Sequence, residues 1–325
     1  MRLTAVVPAT DRPPGLARVR AAIEAADSPP EQLIVVELPE RSSPAAARNA
    51  AARHASGDVL VFVDSDVLVH RDTFRRIRER FEADPGLTAV FGSYDDAPEC
   101  RNVVSVFRNL LHHHVHQGSI GPALTFWSGL GAIRRDAFLA AGGFDGDRVA
   151  IEDIELGMRL AAAGARIELD PAILGTHVKS WSLPQMVRTD LRVRGVPWVS
   201  LLLRWRLLPA TLNLGWRHRL SALASLALVV AIALFEPLLA GGALATLVGL
   251  NRSFYRLLWR AAGPRTALVG PLLHMLHLLT AAAAIPVGLA VHARSRSVLS
   301  EASRPLEAVG PEAAPGEPLP DPRAV

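Results

Sequence analysis

Two stretches near the C-terminal end constrain the chain most. From Leu220 to Leu250 the only charge is Glu236, and from Thr266 to Val291 there is none. Each exceeds the roughly 20 apolar residues a helix needs to cross the hydrocarbon core of a bilayer. A soluble fold can bury one such helix at its centre, but two together point to a membrane. Arg204, Arg206, Arg217 and Arg219 flank the first run, and Arg252, Arg256, Arg260 and Arg265 separate it from the second. Clustered Arg beside apolar spans marks the cytoplasmic face. A single helix over 220–250 would be about 46 Å long, too long for an untilted span. Glu236-Pro237 and Gly241-Gly242 at its centre therefore predict a tight hairpin that returns the Arg252–Arg265 cluster to the cytosol. The run after Arg265 would then cross outward, although His292, Arg294 and Arg296 behind it favour the inside. Three crossings are the expectation. The apolar start, LTAVVPA, passes straight into a charged turn, so no signal peptide is expected and the N-terminal part is assigned to the cytosol.

Charge follows the same division. Residues 1–187 carry a net charge of −4, residues 188–265 a net +9 and residues 266–325 a net −1. The basicity belongs to the segment bordering the apolar runs, and no nucleic-acid motif accompanies it, so no nucleic-acid partner is expected. Gln185–Arg206, Arg-studded with Trp198, Leu201 and Leu202 between, reads as an interfacial helix region on anionic lipid or, equally, as a segment that presents the acceptor's phosphate. The single cysteine, Cys100, excludes a disulfide framework and any multi-cysteine metal site. The tail from Ser300, rich in Pro, Ala, Gly and Glu, reads as disordered. The expected organisation is a globular domain over 1–185, a juxtamembrane region over 186–219, membrane helices over 220–292 with an interfacial segment at 251–265, and a disordered tail over 293–325.

Within the first domain, LTAVVP, QLIVVEL and DVLVFVD read as strands buried on both faces, with helical periodicity over Leu16–Ala26 and Pro44–Ala55 between them. This alternation implies an α/β fold with a mostly parallel sheet, whose ligands sit at the carboxyl ends of the strands. Those ends are Pro8–Arg12, Glu37–Glu40 and Asp64–Asp66. In VLVFVDSDV two carboxylates follow a fully apolar strand. Two anions so close repel each other and are costly to desolvate unless a cation joins them. Hard oxygen ligands suit Mg²⁺ or Mn²⁺, which also bind diphosphate; a solvated turn that uses Asp for its turn propensity is the plain alternative.

The series VVPATDRPP, LIVVELPE, AAARNAAARHASGDVLVFVDSDV, FWSGLGAIRRDAFLAAGGFD and IEDIELGMRLAAAGARI resembles glycosyltransferase family 2 over roughly residues 3–180. The downstream part, FRNLLHHHVHQ through LNRSFYRLLWRAAGP, resembles the family's membrane-anchored bacterial members. The resemblance implies the GT-A fold and a metal-dependent inverting transfer of a sugar from a UDP- or GDP-type donor. It puts the catalytic domain on the cytosolic side of the bacterial inner membrane. It implies metal binding by Asp64, Asp66 and His177, and a nucleotide site formed by Pro8, Ala9, Asp11, Glu37, Arg48, Asn49 and Asp64. Glu37 stands where the family has the first of two Asp residues, and Leu38 replaces the second. Asp153 matches the catalytic base, with Glu152 beside it; helix-capping acids are the plain alternative for this pair. Gly129, Gly131, Arg134 and Arg135 lie near the family's acceptor-side loop, where Arg can reach phosphate.

The His112, His113, His114 and His116 cluster looks like a metal box, but consecutive helical residues point 100° apart, so only a pair such as His112 and His116 shares a face. An acceptor-site or interfacial role is expected for them. Trp181 in KSWSLPQ lacks the preceding Gln and Arg of processive synthases, which disfavours a polymerising enzyme. The expected acceptor is lipid-linked, since a soluble acceptor gives no reason for membrane spans. The rival readings are a non-catalytic scaffold, a processive polysaccharide synthase and a transporter with a soluble domain. Intact Asp64, Asp66, Asp153 and His177 argue against the scaffold, and spans with only Glu236, His274 and His277 as polar candidates argue against the transporter.

Overall fold

A computed structural model describes residues 1–10, 14–37, 43–146, 148, 150–205 and 215–302. The three apolar runs form β1 (Leu3–Pro8), β2 (Gln32–Val36) and β3 (Val59–Val63), joined through α1 (Leu16–Glu24) and α2 (Pro44–His54). Every residue of β1 and β3 is buried, as strands covered on both faces must be. Ser43 starts α2 by accepting the Ala46 amide, and Pro44 occupies the first turn, where a missing N–H costs nothing. The domain continues through β4 (Val67–Val69), α3 (Thr73–Ala83), β5 (Leu87–Tyr94), α4 (Val103–Gln117) and β6 (Gly121–Pro122). It ends with β7 (Leu130–Arg134), α5 (Arg135–Ala140), α6 (Glu152–Ala162) and β8 (Arg166–His177).

The sheet order is β2-β1-β3-β7-β5-β8-β4, with β6 beside β8. β1 pairs in parallel with β2 and β3, and β5 with β8; β7 runs antiparallel between β3 and β5, and β4 and β6 antiparallel to β8. β1, β2, β3, β5 and β8 therefore point one way, which is the mostly parallel α/β sheet expected, with β7 reversed at its centre. Helices cover both faces. α1 and α3 pack through Val19, Ile23, Phe74 and Ile77 on one side. α2, α5 and α6 pack through Ala52, Phe138, Leu156 and Leu160 on the other.

Beyond β8, α7 (Leu183–Arg188), a π-helical stretch (Thr189–Gly195) and α8 (Val196–Trp205) succeed one another directly over the segment read as interfacial. A capping box between Ser182 and Gln185 starts the run. α9 (Trp216–Ala233) and α10 (Pro237–Leu250) form the predicted hairpin, turning at 234–236, where Phe235 takes a φ of 58°. α11 (Arg252–Ala302) breaks at Gly263, with φ 79°, just before Pro264. α9 and the Arg252–Arg294 part of α11 are long and apolar enough to cross a membrane; α10 is shorter. The second apolar stretch, Thr266–Val291 within α11, departs from a simple crossing. Its middle packs on the globular domain, with Leu273 in a cluster with Phe107 and Leu110 of α4. His277 Nδ1 lies 2.8 Å from Asp190 Oδ2 of the π-helical stretch.

Candidate active site

The chain leaves β3 through Asp64, Ser65 and Asp66 and turns directly into β4. Because β4 pairs antiparallel with the end of β8, Val67 lies opposite His177, and the Val178 amide donates to the Asp66 carbonyl at 2.9 Å. That register brings two distant side chains together: His177 Nε2 is 3.8 Å from Asp66 Oδ2. Lys179 Nζ is 3.4 Å from the same oxygen. Burial pushes the Asp66 carboxyl upward, but His177 and Lys179 outweigh it and hold the group below its ordinary value.

Asp64 turns to a different partner. Arg48 of α2 donates Nη2 to Asp64 Oδ1 at 2.6 Å and Nη1 to Glu152 Oε1 at 2.8 Å. The Arg48 side chain is 4% exposed. Burial favours its neutral form, yet Asp64, Glu152 and Asp153 more than offset this and raise its pKa. Burial raises Asp64 and Glu152 in turn, against the pull of Arg48. A guanidinium so enclosed stays charged because two carboxylates share it.

Asp153 opens α6. Its Oδ2 accepts from the Ser128 amide at 3.0 Å and the Ser128 hydroxyl at 3.2 Å, and its Oδ1 accepts from the Ile154 amide at 2.8 Å. Three donors and the positive end of a helix fix this carboxylate. The residue just before α6, Ile151, has φ 56°, a left-handed conformation that costs a β-branched residue roughly 1–2 kcal/mol. Packing against Met158 of α6 and Leu201 and Trp198 of α8 holds it there. Gly157 lets α6 approach the segment between β6 and β7: a Cβ at that position would stand 2.2 Å from the Phe126 amide nitrogen.

Arg48, Asp64, Asp66, Glu152, Asp153 and His177 all line one cleft of about 620 Å³. Its opposite wall is aromatic, and largely missed by sequence reasoning. Tyr94 stacks on His177 with ring centroids 4.3 Å apart, and His112 lies 4.3 Å from Tyr94 and 4.5 Å from Trp127. His112 and His116 share a helix face as expected, with centroids 3.9 Å apart. Burial above all keeps both imidazoles below the ordinary histidine value, His116 at about 4, which fits a stacking surface and not a cationic site. A third wall carries Arg108 and Lys179, on Trp181 at 4.6 and 5.3 Å. Ser128 and Trp127 sit in the quoted FWSGLG run, and their position before the glycines was the available signal for them.

Other expected site residues lie elsewhere. Asn49 spends both side-chain atoms on the backbone of Phe144, donating to its carbonyl at 2.8 Å and accepting its amide at 2.9 Å. Pro8 and Ala9 are buried at the end of β1, where the Ala9 amide donates to the Val36 carbonyl at 2.9 Å. Glu37 is exposed, and none of these four lines the cleft. Asp11 lies outside the described residues. Arg134 and Arg135 are at the wrong end of the sheet: β7 runs antiparallel to β3, so Arg134 pairs with Val59, at the amino end of that strand. Arg134 donates to the carbonyls of Leu87 at 2.7 Å and Pro85 at 3.0 Å instead.

Among the described residues no three His, Cys, Asp or Glu side chains surround one point; Arg48 engages Asp64 Oδ1, and Asp64 lines the same cleft as Asp66 and His177. Asp66 and His177 do fit a divalent cation. Their facing atoms, 3.8 Å apart, are too far for a hydrogen bond, and a carboxylate oxygen beside an imidazole nitrogen is a donor pair that suits a divalent cation. One carboxylate and one imidazole leave the remaining positions to a ligand's oxygens.

Known proteins resemble parts of this chain. Residues 16–140 match the model of the Glycosyl transferase family 2 family. The pre-mycofactocin glycosyltransferase of Mycobacterium tuberculosis is 29% identical over 150 residues, 44% of this chain and 32% of that protein. The poly-beta-1,6-N-acetyl-D-glucosamine synthase of Staphylococcus aureus is 29% identical over 147 residues, 42% of this chain and 34% of that protein. The chain thus spans about a third of the length of these curated relatives. Among solved structures, the mannosyltransferase PcManGT from Pyrobaculum calidifontis, in complex with GDP-Man and Mn²⁺, aligns with a TM-score of 0.52 at 19% identity, over 87% of this chain and 86% of that one. That likeness is one of fold. Strand order and these likenesses converge on the GT-A fold, and the glycosyltransferase family 2 match covers residues 16–140 of it.

Proposed function

We propose that this chain is an inverting glycosyltransferase, moving a sugar from a nucleoside-diphosphate donor to a lipid-borne acceptor at the cytosolic face of a membrane. The observation that carries this reading is the meeting of Asp153, Asp66 and His177 in one cleft. In the fold relative the ligands are GDP-Man and Mn²⁺, in keeping with a donor of this class. When bound between Asp66 and His177, a divalent ion supplies Lewis-acid neutralisation of the departing diphosphate.

The chain's own residues account for the rest. Ser128 and the α6 amide hold Asp153 in one orientation, so that it can take the proton of an acceptor hydroxyl attacking the anomeric carbon from the face opposite the diphosphate. Arg48 offsets Asp64 and Glu152, which keeps the cleft from accumulating unbalanced negative charge where a dianionic donor must enter. Tyr94, His112 and Trp127 offer the apolar faces on which a sugar ring packs and exclude water from the transfer. The apolar surface of α9 and α10, with Phe235 91% and Leu238 89% exposed, is the proposed membrane contact and the reason for a lipid-borne acceptor.

The test is direct. Asp153→Asn in the full chain is expected to lower sugar transfer to a membrane lipid extract by at least about a hundredfold, while a nucleoside diphosphate with Mn²⁺ still raises its thermal midpoint. Transfer at the wild-type rate would remove Asp153 from the chemistry. Transfer to water-soluble acceptors alone would remove the lipid.

A further inference from the structure

A second cavity, of about 440 Å³, opens beneath the catalytic domain where α4 ends and α9 begins. Its described walls are His114, the 118–125 loop, Leu169 and the first residues of α9, including Arg217 and His218, and no Asp or Glu is among them. Neither the proposed transfer chemistry nor the cleft geometry uses it.

Four observations give this cavity a chemical preference. First, Arg217 has no carboxylate within ion-pair distance among the described residues, whereas most arginines of the globular domain do. Second, His114 carries a buried Nε2 with no hydrogen-bond partner. Burial foremost, and the charge of Arg217 next, hold its pKa down at about 4, which places it close to Arg217 as a neutral ring with hydrogen-bonding capacity to spare. Third, α9 begins at Gly215 with no side-chain cap and no acid in its first turn, so its leading amides add positive potential without an internal anion to quench it. Fourth, the cavity sits at the root of the apolar hairpin. Trp216 is 69% exposed, and the next outward positions, Leu220 and Leu223, are 46% and 62% exposed. Arg219 lies over the Trp216 ring at 5.0 Å, the aromatic and cationic pairing typical of a membrane–water interface.

We infer that this cavity binds the phosphate group of an anionic membrane lipid, held by Arg217, His114 and the first turn of α9, with the acyl chains running down the exposed face of the hairpin. The charge-assisted contact from the guanidinium provides most of the selectivity, as Arg does wherever phosphate is held. Val115, Thr125 and His218 line both this cavity and the catalytic cleft, so an occupied lipid site borders the place where the acceptor must arrive. The inference needs the membrane contact but not the transfer chemistry, so either can fail without the other.

The experiment uses the full chain in a zwitterion-free detergent, titrated with short-chain phosphatidic acid, the matched diacylglycerol and inorganic phosphate, followed by Trp fluorescence and thermal midpoint. Phosphatidic acid is expected to bind saturably and diacylglycerol not to. Arg217→Gln is expected to weaken phosphatidic acid binding about tenfold or more, the fold-change of losing one charge-assisted hydrogen bond. His114→Phe, which keeps the ring packing, should weaken it less. Both variants should keep the wild-type thermal response to UDP or GDP with Mn²⁺, which reports the catalytic cleft and the integrity of the fold. Equal binding of phosphatidic acid and diacylglycerol, or wild-type affinity in Arg217→Gln, would overturn the site. Inorganic phosphate competing as well as the lipid, mole for mole, would overturn the headgroup assignment in favour of a free anion.

Discussion

Arg48 shows how a single residue organises the catalytic cleft. A buried guanidinium between two carboxylates is worth little relative to an apolar replacement of the whole group, but removing Arg48 leaves Glu152, 14% exposed, and the more open Asp64 without their shared cation. Arg48→Gln is therefore expected to destabilise the domain by about 3–5 kcal/mol, measured by denaturant titration. Adding Glu152→Gln should restore part of the loss, because one of the two stranded charges disappears. If Arg48 served only the donor, the single variant would lose nucleotide affinity and keep its stability. The same residue marks the limit of what sequence could say. Asp64 and Asp66 stand out in VLVFVDSDV because two acids after an apolar strand are conspicuous. Which of them meets His177 and which an arginine depends on the β4–β8 register and on α2 packing over the end of β3, contacts that no local spacing encodes.

At the scale of elements, the local signals were strong and the long-range ones absent. β1, β2, β3, α1 and α2 begin and end within two residues of the pattern boundaries, because apolar strands and helical periodicity carry their own chemistry in sequence. The reversal of β7 left no comparable trace, and so Arg134 and Arg135 were assigned to the wrong edge. The β4–β8 register that delivers His177 is likewise a pairing of remote segments. Helix α6 rests on such a remote contact too. Gly157→Ala would put a methyl group 2.2 Å from the Phe126 nitrogen, and backbone cannot rotate away as a side chain can. The helix must shift, carrying Asp153 with it. The expected result is a loss of about 1–3 kcal/mol of stability and a fall in kcat larger than any change in donor KM, since an ångström of displacement at the base affects the reacting atoms and not ground-state binding.

The π-helical stretch adds a pH dependence at the same scale. Asp190, 5% exposed, receives Arg108 of α4 on one oxygen and His277 of α11 on the other, so it joins the cleft wall to the C-terminal helix. Burial pushes its carboxyl upward, but His277 and then Arg108 outweigh this and bring it to about 2. An unfolded Asp titrates near about 3.9, so between those values the unfolded chain binds more protons than the folded one. The contribution of Asp190 is complete above that window and is lost as pH falls through it. Asp190→Asn should therefore cost about 2–3 kcal/mol at pH 7, and the gap between variant and wild type should narrow as unfolding is measured at successively lower pH down to about 2. A gap independent of pH would mean that packing, not charge, holds the junction.

At the scale of the whole molecule, the proposed membrane contact has to be reconciled with a cleft wall tied to α11. At 1.5 Å per residue, α9 and α10 are about 27 and 21 Å long, less than the roughly 30 Å of a hydrocarbon core. The middle of α11 is engaged with α4 and Asp190, so the hairpin, whose tip carries Phe235 and Leu238 almost fully exposed, is the part free to enter lipid. A hairpin that dips and returns places both of its ends, and the cationic cavity at its root, on the side of the catalytic domain. Replacing both tip residues, Phe235→Lys with Leu238→Lys, removes about 2–3 kcal/mol of apolar transfer per side chain and adds about 2.5–3.5 kcal/mol per charge brought to bilayer depth. The double variant is expected to leave the floating fraction in a vesicle flotation assay while its hydrolysis of a nucleotide sugar in detergent stays at the wild-type rate. Flotation equal to wild type would assign the anchor to α11 and return the hairpin to the role of a protein-contact surface.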